Sequence, residues 1–268
     1  MFKELYSTPP FIDRYQKHMD YSIDVVIPLK TVNELFEMNL LSIYREIPVH
    51  RLIIGNGGCS KEVLEILKRF PRVLVVDQTG FKTLGFCIKQ LINTVETELF
   101  VYLHADAFLP SGWFDVVYPH SYEFDWFEVR EHTVVIVEYI DRYEDTTVRA
   151  FSGAQMGRTL WVKDAVKVIK DDYLYRNEDI VIRELVEQHG GRYGKVKDMF
   201  YVHEQIHPLS SNVYGVSIKK NVDRNVEVQM LMQQIQGILK YTKLKPYLLK
   251  ILLACCIDLI KAKMKSKG

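Results

Sequence analysis

Four short runs of uninterrupted apolar residues, each followed by an amphipathic stretch, constrain this chain more than any other feature. The runs are Val25-Val26-Ile27, Leu52-Ile53-Ile54, Val73 to Val76 and Phe100 to Leu103. A strand that is apolar on both faces has to be covered on both faces, and strands alternating with helices achieve this in a parallel sheet. Between the runs, Leu35, Met38, Leu41 and Ile43 keep helical spacing, as do Val63, Leu64, Ile66, Leu67 and Phe70 up to Pro71, and the stretch Leu84 to Ile92 after Gly80. The pattern predicts an α/β fold. In such sheets ligands bind beyond the carboxyl ends of the strands, so Asn56, Asp77 and the His104 to Asp106 segment are expected to line one crevice.

Beyond Trp113 the rhythm changes to α+β. Strands are expected over 134–139, near 148–151 and over 195–202, with a Gly-rich turn at Gly153 and Gly157 and a helix from Asp179 to Gln188 stopped by Gly190 and Gly191. Specificity is expected in loops such as Tyr118 to His132. After about Leu209 two helices follow, one through Val226, Met230, Ile235 and Ile238 and one from Pro246 through Lys263. The expected organisation is a domain over 1–209, with 1–20 as an N-terminal extension, and a C-terminal helical extension over 210–268. A length of 268 residues suits one sizeable domain with an appendage.

The 35 basic residues nearly match the 34 acidic ones, a net charge of +1, so no global field draws the chain to nucleic acid. Locally the balance breaks. Seven lysines lie between Lys243 and Lys267 against one acidic residue, Asp258. The apolar stretch Tyr247 to Ile260 is interrupted by Lys250 and Asp258 and falls short of the ~20 residues that a membrane span needs. It suits either a helix lying on an anionic membrane surface, on its inner face, or a helix packed on protein. Cys59, Cys87, Cys255 and Cys256 have no metal-site or disulfide spacing, and the N-terminus has no apolar run behind a basic start. A cytoplasmic protein is expected.

Several side chains are candidates for chemistry. Asp106, at the end of an apolar strand, can offer a hard oxygen to a divalent cation or can cap a turn. Glu178 and Asp179 open a helix, where the dipole favours carboxylates, and either can also take a proton from an attacking hydroxyl. His203, in Tyr201-Val202-His203-Glu204, can bind a metal or serve as hydrogen-bonded structure. The turn Gly55-Asn56-Gly57-Gly58 can approach phosphate, but it has neither a GxGxxG fingerprint nor a P-loop lysine.

The order of these segments resembles that of the family 2 glycosyltransferases, a large GT-A group of mostly inverting enzymes. Asp24-Val25-Val26-Ile27-Pro28-Leu29 is similar to their opening "VVIP" strand, with Asn33-Glu34 where the first helix begins. Gly55-Asn56-Gly57-Gly58-Cys59-Ser60 stands where the family has a "DDGS"-like turn whose aspartate contacts the base. His104-Ala105-Asp106-Ala107-Phe108-Leu109-Pro110 matches the "DADDxLP" segment, with Asp106 at its last aspartate and His104 in place of its first. Gly153-Ala154-Gln155-Met156-Gly157-Arg158 resembles the "GANMAFRR" turn near the acceptor, and Asn177-Glu178-Asp179 the "GED" motif that supplies the base. His203 matches the later histidine that often completes the metal site. The resemblance runs from about Ile23 to His203.

It implies a GT-A fold, Rossmann-like, with a mostly parallel sheet flanked by helices, and an inverting hexosyl transfer. The donor, a nucleotide-diphosphate sugar, would contact Pro28, Asn56, Asp77, His104 and Asp106. Asp106 and His203 would hold Mn²⁺ or Mg²⁺, and Asp179, with Glu178 beside it, would act as base toward the hydroxyl of a glycan or lipid-linked acceptor. Two alternatives stand beside it: a decayed GT-A protein that binds sugar nucleotides or acts as a scaffold, and an unrelated α/β nucleotide-dependent enzyme such as a nucleotidyltransferase or dehydrogenase.

Overall fold

The computed structural model describes residues 3–5, 21–137, 143–146, 153–174, 178–207, 224–243 and 245–265. Its first half runs β1 (Lys3–Leu5), β2 (Ile23–Leu29), α1 (Phe36–Glu46), β3 (Val49–Asn56), α2 (Lys61–Leu67), β4 (Val73–Asp77), α3 (Leu84–Thr94) and β5 (Leu99–Leu103). The second half runs β6 (Ala107–Phe108), α4 (Trp113–Val117), β7 (Trp126–Val137), β8 (Tyr143–Thr146), β9 (Ala154–Arg158), α5 (Thr159–Val166), α6 (Glu178–Gln188), β10 (Tyr193–His207), α7 (Arg224–Tyr241) and α8 (Pro246–Lys265).

The strands form one sheet in the order β1-β4-β3-β2-β5-β9-β7-β10-β6, with β8 on β7. The stretch β4-β3-β2-β5 is parallel throughout, as the apolar runs require. Side chains of β2 alternate between two cores. Val25 and Ile27 pack with Phe36, Leu40 and Tyr44 of α1 on one face, and Val26 packs with Ile88 and Leu91 of α3 and with Val181 and Leu185 of α6 on the other. Pro28 is accommodated inside β2 because β5 pairs only with Asp24 to Val26, so its missing N–H leaves no gap in that ladder.

Three expectations change. Gly153 to Arg158 is no turn: Ala154–Arg158 is strand β9, inserted antiparallel between β5 and β7. Its glycine is needed for contact rather than for bending, since a Cβ on Gly157 would stand 2.4 Å from the Trp126 ring. Tyr118 to His132 is not a loop either, but a 3₁₀ turn (Tyr118–Tyr122) leading into β7, whose Trp126 is fully buried. The strand expected over 134–139 is the end of the longer β7, with 138 and 139 outside the described residues, as is the strand expected near 148–151. Within the N-terminal extension, Lys3–Leu5 pairs antiparallel with β4.

At the amino end of the parallel strands a fully buried carboxylate is held on all sides. Asp24 accepts hydrogen bonds from Arg51 Nη2 at 2.6 Å and Nε at 3.2 Å and from the Glu96 amide at 2.7 Å, and it meets His50 Nδ1 at 2.9 Å. Burial works against its charge, but Arg51, the Glu96 amide and His50 outweigh burial and hold the carboxyl below the usual range.

Candidate functional site

The opposite, carboxyl ends of the strands carry the predicted residues. After β5 the chain turns, with the His104 amide donating to the Gly153 carbonyl at 2.9 Å, and then forms β6. Ala107 and Phe108 of β6 pair antiparallel with His203 and Val202 of β10. Asp106, one residue before that bridge, is thereby set beside His203, and its Oδ2 lies 2.9 Å from His203 Nε2. Two residues 97 positions apart are joined by a two-residue strand.

Helix α1 holds this turn from behind. Asn39 Nδ2 donates to the Ala105 carbonyl at 3.2 Å, and the Leu109 amide donates to Ser42 Oγ at 3.0 Å. Arg45 Nη2 donates to the Leu109 carbonyl at 2.9 Å, and Glu46 Oε2 accepts from the Gly112 amide at 2.7 Å. Asn39, Ser42 and Glu46 are buried. Buried polar groups on a helix need partners, and the backbone of 105–112 supplies them to Asn39 Nδ2, Ser42 and Glu46, while Asn39 Oδ1 has none among the described residues.

On the far side of His203 stands Glu131 of β7, which the sequence reading did not single out. Its Oε1 is 2.9 Å from His203 Nδ1, and its Oε2 accepts from the Tyr201 hydroxyl at 2.7 Å. The same hydroxyl accepts from the Gly153 amide at 2.7 Å. Burial disfavours a charged His203, but the carboxylates of Asp106 and Glu131 outweigh it and push the imidazole up to about 10. Partial burial also works against the charge of Asp106, yet His203 holds its carboxyl below the usual range. Burial lowers His104, so its ring is neutral at pH 7. It meets the Tyr102 ring edge-on at 5.6 Å.

Tyr102 leads to a second cluster. Its hydroxyl donates to Glu178 Oε1 at 3.3 Å, at the start of α6. Asp179 follows, and burial pushes its carboxyl up to about 6 against the lowering effect of the Ile180 amide and Arg183. Glu128 of β7, also not foreseen, is pushed up to about 7 by burial, opposed by the Tyr193 hydroxyl, which donates to it at 2.6 Å, and reinforced by the charge of Asp179. Arg183 lies over the Tyr193 ring at 4.9 Å. Asp106 and His203 thus touch, while Asp179 belongs to the adjoining cluster reached through Tyr102. Asn177 lies outside the described residues.

Pro28 lines a crevice of about 390 Å³ together with Lys30, Gly55, Phe81, Lys82 and Cys87. Asn56 and Asp77 sit at the neighbouring strand ends, each with one side-chain oxygen engaged in its own turn. Asn56 Oδ1 accepts from the Gly58 and Cys59 amides at 3.0 and 2.8 Å, and Asp77 Oδ1 accepts from the Thr79 amide and hydroxyl at 3.0 and 2.8 Å. The Asn56 amide NH₂ is the part of that side chain left for a ligand.

Asp106 and His203 suit a divalent cation by donor type, one hard oxygen and one imidazole, which would release its Nε2 proton to solvent as the cation replaced the hydrogen bond to Asp106. Adjacent ligands of an octahedral ion at about 2.1 Å stand about 3 Å apart, which is the spacing these atoms have. The Glu131 contact at Nδ1 is the kind of carboxylate partner that orients a metal-binding imidazole. Among the described residues no group of three or more His, Cys, Asp or Glu is arranged to hold a metal by itself. Asp106 and His203 could supply two ligands to a cation, and a bound diphosphate or water would have to supply others.

No family profile matches the sequence, and no curated protein matches it. Solved structures do. GalNAc-T7 with UDP, GalNAc and Mn²⁺ superposes with a TM-score of 0.59 at 12% identity, over 81% of this chain and 47% of that one. The mannosyltransferase PcManGT of Pyrobaculum calidifontis with GDP-Man and Mn²⁺ gives 0.56 at 14% identity, over 95% of this chain and 79% of that one. TarS of S. aureus with UDP-GlcNAc gives 0.55 at 12% identity, over 91% and 73%. This chain spans about half the length of GalNAc-T7. The fold is that of a GT-A glycosyltransferase.

Proposed function

We propose that this chain is an inverting glycosyltransferase that moves a hexosyl group from a nucleotide-diphosphate sugar to a hydroxyl acceptor. The observation that supports it most is the contact between Asp106 and His203 at the carboxyl ends of the strands, with Glu131 behind the imidazole. That set fits Mn²⁺ or Mg²⁺. A cation there would supply positive charge against the departing diphosphate.

The donor would lie with its base over the crevice at Pro28, where Lys30 and Lys82 are cationic neighbours for a diphosphate and the Asn56 NH₂ can donate to a base carbonyl. His104, neutral, would donate or accept at the ribose. Asp77 commits Oδ1 to its own turn, and its Oδ2 is the oxygen that would accept from a donor hydroxyl.

Asp179 takes the proton of the acceptor hydroxyl, whose oxygen bonds to the anomeric carbon as the bond to the diphosphate oxygen breaks on the opposite side. A single displacement inverts the anomeric configuration. With its carboxyl near 6, Asp179 is mostly ionised at pH 7 and still a better base than a solvated aspartate. Glu178 is buried against the Tyr102 hydroxyl, so its role is to position the start of α6 rather than to touch the acceptor. The test is calorimetric titration of UDP and GDP with Mn²⁺ into the protein and into Asp106→Ala. The variant is expected to bind at least about tenfold more weakly, and equal affinity would remove Asp106 from the donor site.

A further inference from the structure

The helical hairpin of α7 and α8 is apolar on two sides. Its inner side packs: Ile238, Leu248 and Leu252 form a buried cluster against Ile180, the residue after Asp179. The hairpin is also pinned to α6 by polar contacts, with Lys245 Nζ at 2.8 Å from Glu187 and 2.9 Å from Glu184, and with Arg183 at 4.6 Å over the Tyr247 ring. Among the described residues nothing covers its outer side. Leu249, Leu253, Ile257 and Ile260 are 53, 62, 42 and 57% exposed, and their spacing of four, four and three residues makes one stripe along α8.

A stripe of four large aliphatic side chains in water is a binding surface rather than ordinary surface scatter. The charge beside it selects the partner. Seven lysines against one aspartate lie between Lys243 and Lys267, and Lys250, next to the stripe, is exposed. A second copy meeting this face would bring two lysine-rich segments together, which is repulsive. An anionic lipid surface attracts the lysines and takes up the aliphatic side chains at the headgroup boundary. Among the described residues no helix is long and apolar enough to cross a membrane, so such a helix lies in the interface.

We infer that α8 docks this protein on an anionic lipid surface through Leu249, Leu253, Ile257 and Ile260. Because the same helix presses Leu248 and Leu252 toward Ile180, the bilayer then stands about one helix thickness, ~10 Å, from the first turn of α6. If Asp179 is the base proposed above, an acceptor carried on a lipid reaches it without leaving the interface. The docking itself does not depend on that role.

Flotation of the full chain with vesicles tests it without any donor or acceptor. Binding is expected to vesicles of phosphatidylcholine mixed with phosphatidylglycerol, weakly to phosphatidylcholine alone, and to fall with added salt. Leu253→Glu with Ile260→Glu, both exposed positions, is expected to lower the bound fraction at least ~tenfold while thermal melting and Mn²⁺–UDP titration stay as in the parent. Should that variant fold poorly, Lys261→Gln with Lys263→Gln and Lys265→Gln is expected to lose the anionic preference. A parent protein that stays unbound with anionic vesicles overturns the inference, as does a folded double variant that floats equally well. Sedimentation showing a dimer that the double variant breaks, with no vesicle binding by the parent, would assign the stripe to a second copy instead.

Discussion

Asp24 and Asp106 are both aspartates paired with a cationic side chain at the ends of the parallel strands, and they differ in how completely they are satisfied. Asp24 sits at the amino ends, has no exposed side-chain surface, and takes partners from Arg51, His50 and the Glu96 amide. Asp106 sits at the carboxyl ends, keeps 39% of its side chain exposed, and among the described residues has one side-chain hydrogen-bond partner, a histidine turned toward it by Glu131. A carboxylate whose every lone pair is used by its own protein is a structural element. One that faces solvent with coordination capacity to spare is arranged for something that arrives. The contrast separates scaffold from site on one sheet.

The largest effect is expected where the scaffold pair is cut. Asp24→Ala leaves the partly buried Arg51 with the exposed Glu96 carboxylate in place of a buried one, strands the Glu96 amide, and is expected to cost about 3 kcal/mol in denaturant unfolding. Because the folded carboxyl lies below its unfolded value, this stabilisation is present above about pH 4 and is lost as the pH falls through the lower folded value. Acid titration followed by circular dichroism is expected to show the parent losing stability in that window and the variant showing less dependence. A variant as stable as the parent would break the scaffold half of the comparison.

Next in size is the chemistry. Asp179→Asn is expected to lower turnover at least ~10²-fold with little change in nucleotide affinity. In the parent, turnover is expected to fall as the pH drops through about 6, where Asp179 takes up a proton. Donor turnover measured across pH decides it, and a flat profile or an active variant would remove the base.

A smaller effect belongs to the seam between the two clusters. A methyl added in Gly153→Ala would stand 2.5 Å from the Tyr201 hydroxyl, which bridges the Gly153 amide and Glu131. Displacing that hydroxyl is expected to cost about 1–2 kcal/mol of stability and to weaken Mn²⁺–UDP binding, because Glu131 then loses the partner that orients it toward His203. Unaltered binding in a folded variant would show that Glu131 holds His203 without Tyr201.

The smallest effect completes the contrast. Asp106→Ala is expected to change stability by less than about 1 kcal/mol, since the pair is half open to solvent and His203 keeps Glu131. A loss as large as that of Asp24→Ala would erase the distinction drawn between the two ends of the sheet.

Much of this was legible in the residues. Buried parallel strands announce themselves as apolar runs, so β2 to β5 and the helices between them were readable, as was α6 from Asp179 to Gln188 against the observed Glu178–Gln188. β9 was not, because Gly153 and Gly157 read as a turn when their partners are unknown. What makes them glycines is Tyr201 and Trp126 lying against them, and neither contact is visible along the chain. Of the candidate site, Asp106 and His203 stand out in the sequence and do meet, whereas Glu128 and Glu131 do not stand out there. A glutamate in a strand looks solvated until its partners, Tyr193 and His203, are brought from 65 and 72 residues away. The one available signal was a pair of acids within a strand that opens on Trp126-Phe127.

The four polar ties from α1 to residues 105–112 have a mechanical consequence. Asn39, Ser42, Arg45 and Glu46 clamp the backbone on either side of the β6 bridge, so the backbone at Asp106 cannot swing outward without breaking bonds to a helix rooted in the main core. The backbone that carries Asp106 is therefore a fixed footing, and adjustment to an incoming molecule at this turn is left to the carboxylate's own side-chain rotation.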